Sequence, residues 1–310
     1  MSGYGNRSGD GVGIYGKLAT QPDFFRSNAG DFSHAGLDRW FQEAMETLRN
    51  ERTALPAEPV GFLLSPAGSR EAFAGAFFPS ADAAGRQFPL ALFAAIPGGD
   101  VIGDVASVAS RYAGFIDSAG LIASGGIELE GDELVQRAES LTLPGNDRGW
   151  DGSVAAQLAE ESAQALRDAV GGTASALSYA MRTFCSACDQ AAKTGPVGRG
   201  AITVDAPAPS PLTRALWLEL AQRRLRWHEA APSMLWTEGE AGRLLLTLGE
   251  PTPACFGYLA NPRHRSPRFW PLRTDVVPAI EQAVKALTHE QRRRVENPRV
   301  SLGELLSGFA

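Results

Sequence analysis

Residues 72–96 read AFAGAFFPSADAAGRQFPLALFAAI. Two apolar runs, Ala72 to Phe78 and Phe88 to Ile96, flank a polar stretch from Ser80 to Gly85 that is rich in turn formers. Short β-prone runs joined by so brief a connection predict neighbouring antiparallel strands. A third run, Val60 to Leu64, precedes them across Ser65-Pro66-Ala67-Gly68 and extends the same sheet.

Upstream lies the short apolar run Gly13 to Leu18. It is followed by a helix whose Leu37, Trp40, Phe41, Ala44 and Leu48 share one face, with Ser33 as its expected N-cap. Downstream the period becomes helical between 104 and 119 (Val105, Val108, Tyr112, Phe115, Ile116) and again, more weakly, over 128–140. A loop over 143–153 leads to helices at 154–169 and 174–191, parted by Gly171-Gly172. A strand at 201–204 and a linker over 206–211 precede a helix with Leu212, Leu216, Leu220 and Trp227 on one face. Strands are expected at 233–237, 243–248 and 254–259. Strands at both ends with helices between predict an α/β fold, a sheet built from both halves of the chain and covered by helices.

After residue 260 the composition shifts to NPRHRSPRFWPLR. We therefore expect three parts: a disordered tail over 1–11, an α/β domain over 12–260, and a basic Pro/Arg-rich linker with an amphipathic helix over 261–310. That helix, 279–295, carries Ile280, Ala283, Val284, Leu287 and Val295, with Arg292, Arg293 and Arg294 in its last turn. Its apolar stripe favours packing onto the body, while Arg263, Arg265 and Arg268 offer charges to an acidic partner.

Composition narrows the function. At 310 residues and 44% hydrophobic content, the chain can bury a substantial core. Its apolar runs are far shorter than the ~20 residues of a membrane span, and its glycine-rich start lacks a secretory signal pattern. Three cysteines give no disulfide framework and fit the cytoplasm. The net charge of −6 conceals a C-terminal segment, 262–310, at +4 and a remainder at −10. So acidic a body argues against nucleic acid as the partner.

Catalytic motifs fail on context. GVGIYG over 11–16 has the letters of a dinucleotide loop and GVGIYGK those of most of a phosphate loop, but no strand precedes it and Pro22 interrupts the helix that should follow. Cys185 and Cys188 fall late in a helix, with Cys188 on its apolar face, which reads as core thiol. The four histidines form no triad or paired ligand set. No catalytic residue, metal or cofactor is expected.

Several strings together do carry a resemblance. Gly13-Ile14-Tyr15-Gly16-Lys17-Leu18 with Asp23, Phe24 and Arg26 resembles a GxxGKLPxxGDFxxR signature, departing from it at Ala19 and at Gln21-Pro22. Leu37-Asp38-Arg39-Trp40-Phe41-Gln42 resembles a helix motif, and residues 75–90 resemble GxxxPSxDxxGRxFPL through Ser80, Asp82, Gly85 and Arg86. Pro232 to Thr237, with Ser233 and Trp236, resembles a late PSxxWT element, and Cys255 to Leu259 stands where a last strand would lie. These are the marks of the TagF (ImpM) family of type VI secretion.

That resemblance implies a three-layer α/β/α sandwich around a mixed sheet. It also implies a post-translational repressor of secretion that acts through the system's forkhead-associated scaffold. Some members are fused to a phosphatase domain, for which residues 261–310 are too few. An assembly factor of the apparatus is the alternative, and an enzyme using Lys17, Asp23 and Arg86 a weaker one. Gly16, Lys17, Asp23, Asp38, Trp40, Ser80, Asp82, Gly85, Arg86, Ser233 and Trp236 are the candidate partner-contact or loop-pinning residues. Charges at apolar junctions need partners, so Arg86 is expected to pair with Asp82 or Asp38 and pin the loop.

Overall fold

The computed structural model describes residues 11–66, 68–144, 154–194, 202–225 and 232–310. Most of the expected tail, most of the 143–153 loop, Ala201 and Trp227 lie outside them. The chain divides into two compact units, each assembled from separated segments. The first takes Met1–Gly99, Tyr112–Gly145 and Thr252–Ala260; the second takes Asp100–Arg111, Asn146–Pro251 and Asn261–Ala310. Residues 12–260, expected as one domain, are thus distributed over both, and 261–310 is part of the second.

The first unit holds β1 (Gly13–Lys17), β2 (Phe24–Ser27), β3 (Val60–Leu64), β4 (Glu71–Phe78) and β5 (Leu90–Pro97). They run in the order β2-β1-β5-β4-β3 with every pair antiparallel. Alternation along β4 sorts its side chains, sending Phe73, Gly75 and Phe77 to one face and Ala72, Ala74 and Ala76 to the other. On the aromatic face lies the helix Leu37–Glu51, whose Phe41 ring sits 5.6 Å from that of Phe77 and 6.2 Å from that of Phe62. Phe256 joins them at 5.1 Å from Phe77. On the alanine face the helix Ala113–Gly126 comes so close that a Cβ on Gly120 would stand 3.5 Å from that of Ala76. Small residues on one face and rings on the other let helices cover both, so this unit is itself three-layered.

The second unit holds β6 (Ile202–Pro207), β7 (Ser233–Trp236), β8 (Arg243–Leu248) and β9 (Phe269–Pro271), in the order β7-β8-β6-β9. The first three are antiparallel and β9 runs parallel to β6, which makes the sheet mixed. Trp217, on the helix Pro211–Leu225, donates its indole N–H to Pro207 O at 2.9 Å and packs 4.9 Å from Phe184 on the helix Ala174–Thr194. Asp205 and Arg243, both buried, meet bidentately at 3.0 Å across β6 and β8. The outer border of β9 offers few donors: Phe269 N–H is spent on Ser266 O, and Pro271 has none.

An α/β fold ending in helices is what the sequence leads one to expect, but several elements differ. The 254–259 strand is a helix, Ala254–Ala260, begun by Cys255 N–H bonding to Thr252 O. The 104–119 helix is two, Val105–Arg111 and Ala113–Gly126. The 154–169 helix breaks into Val154–Glu160 and Gln164–Val170 because the backbone between them bonds elsewhere: Ala163 N–H donates to Val300 O, and Glu161 O accepts from Leu302 N–H. The 279–295 helix becomes Val277–Ala286 and His289–Glu296, parted by a capping box in which Thr288 and Gln291 satisfy each other's backbone N–H groups. A further helix, Leu302–Phe309, follows. Ser33 caps nothing; it lies inside the short helix Gly30–His34, and the left-handed Gly36 starts the next one. Ala206 and Pro207 finish β6 where a linker was expected, and β9 arises inside the Pro/Arg-rich stretch.

Cys185, Cys188 and Cys255 are all buried. Burial pushes the Cys185 thiol up to about 11 and that of Cys188 higher still, so neither is ionised near neutrality.

Candidate functional site

The loop between β4 and β5 is built around one carboxylate. Asp82 Oδ1 accepts the backbone N–H of Ala84 at 3.0 Å and of Arg86 at 2.9 Å, an arrangement short Asx side chains favour in turns. Gly85 closes the turn at φ 77°, a conformation that suits glycine, and donates its N–H to Asp82 O at 2.8 Å. Phe88 N–H to Ser80 O at 2.9 Å ties the two arms together.

The other oxygen, Oδ2, receives two cations. Lys17 Nζ, at the end of β1, and Arg86 Nε each lie 2.7 Å away. The Asp82 and Lys17 side chains are 0% and 8% exposed, whereas that of Arg86 is 61% exposed. Three further bonds fasten this loop to the β1–β2 connection: Ser80 Oγ donates to Lys17 O at 2.8 Å, Ala83 N–H donates to Gln21 O at 2.9 Å, and Arg86 reaches Pro22 O. Lys17 Nζ also stands 5.1 Å from the centre of the Phe24 ring. The two strands come close enough here that a Cβ on Gly16 would fall 2.2 Å from Pro89 O.

The Lys17 hydrogen bond, joined by those from the backbone and side chain of Arg86 and the backbone of Ala84, outweighs desolvation and holds the Asp82 carboxyl well below the usual carboxylate range. A depressed folded-state pKa means that Asp82 contributes its full stabilisation above its unfolded value, roughly 4. That contribution is lost as pH falls from there through the folded value. Acid unfolding monitored by circular dichroism should therefore lose part of its slope below about pH 4 in Asp82→Asn; an unchanged slope would refute this linkage.

The remaining candidates are placed elsewhere. Asp23 is exposed and caps Phe24 N–H at 2.7 Å. Asp38 lies 3.9 Å from Arg26, not against Arg86. Trp40, half-buried, packs 5.4 Å from both Phe41 and Phe256. Ser233 and Trp236 are buried in β7 of the second unit. There Trp236 donates its indole N–H to Glu238 at 2.8 Å, Arg214 lies 4.7 Å above its ring, and Arg214 pairs with Glu238 at 2.7 Å. Sequence reasoning missed that bracket and the Asp205–Arg243 pair. The signal for the Asp205–Arg243 pair was present as lone charges in the apolar runs ITVDAP and RLLLTL. Among the described residues no group of three His, Cys, Asp or Glu side chains is placed to hold a metal, and no helix is long and apolar enough to cross a membrane.

Residues 13–140, which include all five strands of the first unit, match the TagF N-terminal domain, described as type VI secretion system-associated. No curated protein matches the chain. Among solved structures, that of PA0076 from Pseudomonas aeruginosa PAO1 is similar over 82% of this chain and 96% of that one, at 21% identity and a TM-score of 0.46.

Proposed function

We propose, from the premise that residues 13–140 form a TagF N-terminal domain, that this chain is a cytoplasmic negative regulator of type VI secretion. It acts after translation by binding a component of the system, such as its forkhead-associated scaffold, and without catalysis. The observation that carries this reading is the use to which the signature residues are put. All four donors around Asp82 are met within the fold, Ser80 is spent on β1, and Lys17 is buried. A nucleophile or general base needs access to a substrate atom; a buried and saturated carboxylate supplies rigidity, which suits a surface held in shape for another protein.

Deletion of the gene from cells carrying the secretion genes is expected to raise effector release several-fold while the apparatus still assembles. Immunoprecipitation should recover the scaffold with the full chain. Loss of assembly on deletion would replace this reading with that of an assembly factor, and recovery of no secretion component would remove both.

A further inference from the structure

Several surface arginines of this chain have acidic neighbours. Arg39 pairs with Glu43 at 2.8 Å, Arg137 with Glu133 at 2.7 Å, Arg223 with Glu219 at 3.4 Å and Arg294 with Glu290 at 2.7 Å. Others cap backbone carbonyls: Arg224 donates to Phe309 O and Arg292 to Val284 O. The segment 261–274, NPRHRSPRFWPLRT, instead gathers arginines with no acidic residue among them. It holds Arg263, Arg265, Arg268 and Arg273. All four are exposed, and none of their guanidinium groups has a hydrogen-bond or ion-pair partner among the described residues.

The backbone that carries them is held firmly. Asn261 accepts Arg263 N–H through Oδ1 and His264 N–H through its carbonyl, both at 3.0 Å. Ser266 repeats the device with Arg268 N–H at 3.2 Å and Phe269 N–H at 3.1 Å. Trp270 donates its indole N–H to Pro267 O at 3.0 Å, and buried Phe269 and Leu272 anchor β9 beside β6. Pro262, Pro267 and Pro271 fix φ at three more positions. Four like charges thus sit on an ordered backbone, so an anion that met them would cost little backbone entropy.

We propose that this arginine strip is a docking surface for an extended Asp/Glu-rich segment of a partner protein. Guanidinium forks match carboxylates bidentately. With Phe269 N–H engaged and Pro271 lacking one, the border of β9 reads a ligand through side chains and not by adding a strand. The rest of the chain carries a net charge of −10, which repels long polyanions such as nucleic acid or an anionic bilayer. A short acidic segment interacts within about 8 Å of the strip, the screening length at physiological salt, and escapes that repulsion. The strip lies outside residues 13–140, so the proposal does not rest on the regulatory reading above.

Fluorescence anisotropy of the full chain with a labelled peptide of alternating Asp and Glu tests it. The peptide should bind at low salt, weaken as salt rises, and lose about tenfold or more in affinity against Arg263→Gln/Arg265→Gln/Arg268→Gln/Arg273→Gln. The control Arg39→Gln/Arg49→Gln/Arg137→Gln/Arg223→Gln changes net charge equally at exposed sites and should bind as the parent does, and the Asn/Gln version of the peptide should not bind. Absence of binding by the parent, equal loss in both variants, or tighter binding to duplex DNA or phosphatidylserine vesicles would overturn the proposal.

Discussion

Asp82→Ala is expected to lower the melting temperature of the first unit by about 5 °C or more, whereas Lys17→Met lowers it by less than half as much. The asymmetry follows from what each change leaves behind. Without the carboxylate, the Lys17 ammonium stays in place at 8% exposure with no counter-charge, and the Ala84 and Arg86 N–H groups lose their acceptor. Removing a partner from a buried ion pair costs far more than the pair itself contributes. Without the ammonium, Asp82 keeps Arg86 Nε and both backbone donors. Lys17→Met/Asp82→Ala should therefore melt above Asp82→Ala alone, a non-additivity that a double-mutant cycle on thermal melts measures directly. Additive effects, or an Asp82→Ala that melts like the parent, would show that the clamp bears no load. If the clamp holds the regulatory surface in shape, Asp82→Ala should also release secretion in cells.

Truncation after Asn261 is expected to abolish cooperative folding of the second unit. The removed segment supplies β9 and buries Leu287, Val295, Val300, Leu302, Leu305, Leu306 and Phe309, each at 6% exposure or less. Burial of seven such side chains is worth roughly 10–20 kcal/mol, as much as or more than the ~5–15 kcal/mol by which domains are usually stable. Polar ties are lost as well: Arg167 donates to Val295 O and Asn297 O, both at 2.9 Å, and Arg224 donates to Phe309 O at 2.8 Å. Limited proteolysis should cut the truncated chain rapidly within 154–251. A truncated chain as protease-resistant there as the parent would mean that the C-terminal helices are dispensable.

Legibility of the sequence followed the range of the interactions concerned. Strands β3, β4 and β5 stood out because they are short β-prone apolar runs bounded by turn formers, with Phe and small residues alternating along β4. The run ACFGYL has no period, and a short wholly apolar run fits a strand or a buried helix equally. Pro251 and Pro253 ahead of it were the available helix signal, since proline is tolerated in a first turn. Thr288 and Gln291, three residues apart, were likewise a readable capping box inside what periodicity alone joined into one helix. The clamp was half legible. Asp82 and Arg86 are four residues apart in a turn, so their pairing follows from local geometry. Lys17 is 65 residues from Asp82, and only the β1–β5 register brings it there. Its burial is likewise a product of tertiary packing, which a glycine-flanked lysine in a short strand does not announce.

A sheet that ends in open amide groups invites the matching border of another molecule to zip against it, and such growth can continue without limit. A proline and an inward-committed amide, flanked by Arg268 and Arg273, deny a second copy both the hydrogen bonds and the charge balance that this growth requires. The same few residues that leave arginines on display thereby blunt the outer border of β9 against pairing with a second copy.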